Sequence, residues 1–398
     1  MATLYGGGWI FDGDGTLLEE HGVLVEDGGI ERVAPLDEFD GFAGEKIDTT
    51  AGTLLPGLID CHVHLVMGAE SDPAGPVEKL GPGHVTLRAL KHAQDTLAGG
   101  VTSIRDCGGH RHLEFAVRDA CNRGEQPGPT IRAAGRVICM TGGHGIRFGR
   151  VADGVDEVVK AVREQIHAGC DLVKIMATGG VMTPGVNPED AHYTAEEIAA
   201  GVREAKRFHR RTASHAQGSH GILNAVRGGI TSIEHGFFLD ETCIEEMVAS
   251  GTYLVPTLSA VDSIREAKGR VSDYVAEKIE RIGIAHHRSI KAFYEAGGLL
   301  AMGTDAGTPF NRHGENKREL ARMVDVGINP RDALTISTGN AADLMGLEDR
   351  GRIAEGKRAD FLIVDGNPTQ DIANVADSTN HRLVVKDGDA VDRPHLVG

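Results

Sequence analysis

Between about residue 56 and residue 353 the chain repeats one rhythm, a short apolar run followed by a longer amphipathic stretch. This alternation constrains the fold more than any other feature. Strands joined by crossover helices must lie parallel in one sheet. Strands are expected at Leu58–His64, Val101–Asp106, Ile131–Ile138, Leu172–Ala177, Thr212–His215, Ser232–His235, Tyr253–Pro256 and Leu299–Asp305. Helices are expected between them, for example at Asp156–Ala168, Ala195–His209 and Glu315–Val326. The long charged segment Ser263–Ala296 reads as additional helix before the last strand. Eight strands with helical partners is the count of a (β/α)8 TIM barrel. An open doubly wound sheet shares the rhythm, but no G-x-G-x-x-G follows the first strand, which lowers that alternative.

The two ends of the chain have a different texture. Residues 1–55 are rich in Gly and Asp, with short runs such as Gly22-Val23-Leu24-Val25-Glu26-Asp27-Gly28 that read as hairpins. Residues 359–368 and 381–388 look the same. A small β-sandwich domain built from residues 1–55 plus 354–398 is therefore expected, beside a barrel spanning 56–353.

Composition narrows the function classes. A net charge of −17 argues against nucleic acid, whose phosphates would be repelled. No stretch approaches the roughly 20 apolar residues that span a bilayer, and the first residues carry neither the basic start nor the apolar run of a signal peptide. A cytoplasmic enzyme acting on a small molecule is the expectation, with a homo-oligomer left open. The six cysteines form no C-x-x-C pair and read as reduced core thiols.

The expected strand ends carry the chemistry. The run Pro56-Gly57-Leu58-Ile59-Asp60-Cys61-His62-Val63-His64 closes on two histidines at i, i+2, which share one face of a strand and can grip one metal ion. Lys174 lies on the fourth strand, His215 on the fifth, His235 on the sixth and Asp305 on the eighth. A single histidine in such a place is more often a satisfied core residue. Six candidate ligands at one end of a barrel are hard to explain as packing. Lys174 is a cation inside an apolar strand, costly unless paired or neutralised. Its free amine could react with carbon dioxide to give a carbamate that bridges two metals; the alternative is an ion pair with Asp305 or a substrate carboxylate.

These residues, with Glu234-His235-Gly236 and Gly303-Thr304-Asp305, resemble the amidohydrolase superfamily over essentially the whole chain. Gly142-Gly143-His144-Gly145, Lys174-Ile175-Met176-Ala177-Thr178-Gly179-Gly180 and His313-Gly314-Glu315-Asn316 are most similar to its imidazolonepropionase-like members on the branch of prolidases (Xaa-Pro dipeptidases) and zinc carboxypeptidases. The resemblance implies two divalent metal ions, Zn2+ by the His-rich ligand set. His62, His64 and Asp305 would bind one and His215 and His235 the other, bridged by a CO2-derived carbamate on Lys174 and a hydroxide. Asp305 would then carry the proton to the leaving nitrogen.

His144, in a glycine-rich loop, is a further catalytic or substrate-binding candidate, or else caps a turn. Arg105, Arg147 and His313 fall in or beside loops of the same face and could receive a carboxylate, although a surface ion pair is the commoner fate of such residues. Many dipeptidase relatives show a Tyr two positions after the fifth-strand histidine, where this chain has Gln217. The expected activity is hydrolysis of an amide or peptide-type C–N bond, as in a dipeptide or an N-acyl amino acid. A mononuclear deaminase or imidazolone-type ring hydrolase is the alternative, and a hydrolase of a xenobiotic amide, urea or carbamate a further one.

Overall fold

A computed structural model describes residues 2–181, 183, 185–267, 269–270 and 273–392. Residues 393–398 of the expected small domain lie outside the described residues. The chain divides into two compact units, Met1–Asp60 with Gln94–Ser103 and Gly314–Gly398, and Cys61–Ala93 with Ile104–His313.

The second unit carries the strand–helix alternation. Its six-stranded sheet is parallel throughout, in the order Arg150–Val151, Ile138–Cys139, Leu172–Met176, Arg211–Gly218, Ser232–Phe238 and Tyr253–Val255. Helices Gly154–Ala168, Ala195–Arg207, Ser219–Arg227 and Glu241–Ser250 connect strands within it. Ala195–Arg207 starts where the sequence dictates: Thr194 and Glu197 form a reciprocal capping box, and Ile198, Val202 and Ala205 bury one face. The expected extra helix is a pair, Leu258–Glu266 and Asp273–Glu295. A separate three-stranded sheet has the order Thr130–Ala133, Val101–Asp106, Leu58–Val63.

Two expected strands differ in the structure. Ile131–Ile138 is broken into Thr130–Ala133 and Ile138–Cys139, because Gly135 adopts a left-handed φ of 75° that no ladder continues through. Leu299–Asp305 forms no continuous strand. It makes parallel bridges only from Leu300 to Leu254 and, one residue beyond the segment, from Ala306 to Val63. Its backbone is nonetheless paired on both sides: Cys61 N donates to Met302 O at 2.8 Å and Ala301 N to Leu254 O at 3.1 Å. Gly303 is required here, since a Cβ would fall 2.3 Å from Val255 Cγ1 and 2.9 Å from His62 Cβ.

The first unit holds two further sheets, one from the N-terminal residues alone and one from both ends of the chain. One has the order Gly29–Pro35, His21–Glu26, Thr3–Gly6, Glu45–Asp48. The other runs Asp389–Ala390, His381–Lys386, Phe361–Asp365, Gly52–Pro56, Trp9–Phe11, Leu17–Leu18. Tyr5, Val23, Val25 and Ile30 of the first share one apolar core with Ile10, Leu54, Phe361, Ile363 and Val385 of the second. No helix among the described residues is long and apolar enough to cross a membrane.

Candidate active site

All six expected ligands belong to the second unit. His62 is the last residue but one of its strand, His64 follows that strand, Lys174 and His215 lie within the central sheet, and register pairs Met176 with His215 and Ala216 with His235. His62, Lys174, His215, His235 and Asp305 are buried, Asp305 the most open at 8%. Their rings converge. Centroids are 5.3 Å apart for His62–His64, 5.1 Å for His62–His235 and 4.6 Å for His215–His235. Lys174 Nζ lies 3.5 Å from His62 Nε2.

One nitrogen of each ring is already committed, which decides what the other can do. His62 Nδ1 donates to Glu234 Oε2 at 2.8 Å and His64 Nδ1 to the Gly108 carbonyl at 2.8 Å. His215 Nε2 donates to the Gly179 carbonyl at 3.0 Å, and His235 Nδ1 lies 2.7 Å from Thr257 Oγ1. Where the committed nitrogen of a neutral ring donates, the other presents a lone pair, the form that ligates metal. Burial holds His62, His215 and His235 well below the usual histidine pKa, so these rings are neutral. His64 differs: burial pulls it down, but the carboxylates of Asp305 and Asp106 outweigh this and raise it.

Asp305 Oδ1 is buried and has no hydrogen bond, although His64 Nε2 lies 3.1 Å and His62 Nε2 3.4 Å away. A carboxylate oxygen this close to two imidazole nitrogens is repelled by their lone pairs unless a proton or a metal ion lies between them. Ligand atoms of His62, His235 and Asp305 all fall within 4.8 Å of one another. This donor set fits a divalent metal of the zinc type.

The other expected residues divide. His144 joins the cluster, its ring 4.4 Å from that of His215 and its Nδ1 2.6 Å from Thr183 Oγ1. Burial pushes His144 down to about 3. Gln217 is buried, with Oε1 lacking a hydrogen-bond partner. Arg105 and Arg147 are both committed to protein partners, Arg105 to Glu234, Ser232 and the Cys61 carbonyl. Arg147 is half-exposed and clasps Glu78 and Asp72 at 2.6–2.8 Å. His313 stacks on His92 with centroids 4.7 Å apart, and its Nε2 lies 3.3 Å from the His64 carbonyl and 3.1 Å from that of Met67. It holds the turn after His64. The sequence reading missed Glu234, although a carboxylate inside an apolar strand carries the same signal that drew attention to Lys174.

A buried His/Asp cluster of this kind is a candidate metal site. Residues 53–391 match the amidohydrolase family, and the chain belongs to it. It is 30% identical over 415 residues to ochratoxinase of Aspergillus niger, covering 93% of this chain and 82% of that protein. The crystal structure of a Xaa-Pro dipeptidase with bound methionine in the active site matches with a TM-score of 0.90 at 32% identity, over 98% of this chain and 99% of that one. Imidazolonepropionase of Hahella chejuensis is 24% identical over 389 residues, covering 88% of each. The family and its solved members imply the TIM-barrel fold, and the chain is a hydrolase acting on C–N bonds.

Proposed function

We propose that this hydrolase cleaves the amide bond of a small molecule such as a dipeptide or an N-acyl amino acid, and that it uses two divalent metal ions, zinc by preference. The observation that carries the reading is the unbonded Asp305 Oδ1 set against the imidazole nitrogens of His62 and His64. His62, His64 and Asp305 would hold one ion and His215 and His235 the other, and the Lys174 amine, on adding carbon dioxide with loss of a proton, would give a carbamate that serves both. Bound metal supplies an acidified water and polarises the scissile carbonyl. Asp305 takes the water's proton on its carboxylate and delivers it to the leaving nitrogen as the C–N bond breaks, giving a carboxylic acid and an amine. His144, neutral and beside His215, orients the substrate carbonyl or carboxylate, and the buried Gln217, whose Oε1 lacks a partner, is a further substrate contact. The names of two relatives, ochratoxinase and Xaa-Pro dipeptidase, support an amide-type substrate. The same reading takes residues 56–353 as a closed (β/α)8 barrel and 1–55 with 354–398 as a β-sandwich, to which the core shared by the two terminal sheets lends support.

One observation favours a second reading. His62, His235 and Asp305 alone make a three-donor set, enough for a single ion. With the likeness to imidazolonepropionase, this supports a mononuclear deaminase or ring hydrolase. Turnover of dipeptides, N-acyl amino acids, aryl amides and imidazolones by metal-replete enzyme, with elemental analysis of the same sample, separates the two. Amide hydrolysis with two ions per chain is expected. Ring opening with one ion per chain and no amide hydrolysis overturns the first reading.

A further inference from the structure

We propose that Glu234 is a positioning residue of the metal centre, fixing the ring of His62 so that Nε2 faces the cluster; this rests on His62 being a metal ligand. Regular strand alternation would send Glu234 and His235 to opposite faces. His235 instead has a left-handed backbone, φ 77°, and both residues reach the same ring: Glu234 bonds His62, and the His235 centroid lies 5.1 Å from it.

The Glu234 carboxylate is fully buried and takes three donors. Oε2 accepts His62 Nδ1–H at 2.8 Å; Oε1 accepts Arg105 at 2.8 Å and the Ser232 hydroxyl at 2.6 Å. Arg105 is anchored in turn, its Nε donating to the Cys61 carbonyl at 2.5 Å and a terminal nitrogen to Ser232 Oγ at 3.2 Å. So held, the carboxylate has no freedom to swing toward an ion and acts on it through His62. It fixes the proton on Nδ1, leaves the lone pair on Nε2 and increases that nitrogen's basicity. It also screens His62 from the Arg105 cation, which would otherwise oppose a metal on the ring.

The test is zinc titration of chelator-stripped protein, with kcat and KM at limiting and saturating zinc. Glu234→Gln is expected to bind zinc about 10–100-fold more weakly and to regain kcat as zinc is raised, with KM unchanged. A packing defect would lower the melting temperature without a zinc-reversible kcat. Unaltered zinc affinity in folded Glu234→Gln overturns the proposal. His62→Ala separates the premises. If it binds zinc as the parent does, the metal reading fails; if it loses zinc while Glu234→Gln does not, only the positioning role fails. Because Glu234→Gln strands a buried cation, Arg105→Met/Glu234→Gln is measured beside it and should still bind zinc more weakly than the parent. In the parent protein, 15N spectroscopy should find the His62 proton on Nδ1 with and without zinc. A proton on Nε2 overturns the proposal without any variant.

Discussion

Arg105 and Arg147 make nearly the same bonds and live in opposite worlds. Each guanidinium meets carboxylate at 2.6–2.8 Å. Arg105 and Glu234 are 3% and 0% exposed, Arg147 and its partners Asp72 and Glu78 between 41% and 62%. In water the second arrangement is worth little, because solvent screens it and two long side chains must be ordered to form it. In the interior each member of the first depends on the other, since removing one leaves an uncompensated charge. Glu114 supplies the third case, a fully buried carboxyl whose oxygens have no hydrogen-bond partner. Burial, then the nearby Asp106, pushes its pKa up to about 8, so it stays uncharged at neutral pH. The lesson is that partner and solvent together, not bond length, decide what an ionisable contact does.

The largest effect is expected inside the cluster. Asp305→Asn retains a similar shape and one oxygen but accepts no proton, so turnover should fall about 10²–10⁴-fold while most metal is retained. Elemental analysis and turnover on the same sample check this; a variant that keeps both within a few-fold moves the proton to another group, His144 first.

Next comes Arg105→Met, which leaves the Glu234 charge buried and unpaired. A loss of about 3–5 kcal/mol is expected, read from denaturant unfolding. A loss below about 1 kcal/mol would erase the contrast with Arg147.

Glu114→Gln sharpens the comparison by removing a buried carboxyl that has no hydrogen-bonded partner. A folded-state pKa above the unfolded one means the native chain binds the extra proton between about 4.5 and 8. Stability therefore falls as pH rises through that window and levels off above it. The variant should match the parent near pH ~4.5 and exceed it above pH ~8, by on the order of a few kcal/mol. Parallel pH–stability curves for the two proteins would contradict it.

The smallest effect belongs to Arg147→Met. About 0–1 kcal/mol is expected, vanishing in high salt, with kcat unchanged. A salt-insensitive loss of several kcal/mol would place Arg147 with Arg105.

Much of this was legible in the sequence. Histidines at apolar strand ends need a reason to be there, and His62, His64, His215 and His235 do converge, with Asp305 and Lys174 among them. What stayed hidden is direction. Arg105 sits in an apolar strand as Lys174 does, but nothing in Ile104-Arg105-Asp106 says whether it faces a substrate or the back of His62. His313 sits in a loop beside the site, yet its ring is spent on the backbone carbonyls of His64 and Met67. The broken third strand turns on the φ of Gly135, a conformation the sequence permits without requiring.

The left-handed backbones at His235 and Asp305, φ 77° and 61°, also limit how this site can change over generations. Apart from glycine, asparagine, aspartate and histidine are the residues enriched in that region. Two of those three are ordinary metal ligands and the third is a weak one. Drift at these positions is thus filtered by the main chain before any chemistry is tested. A lineage that alters its metal or substrate should do so through Lys174, Gln217 or the loops more readily than through these two positions.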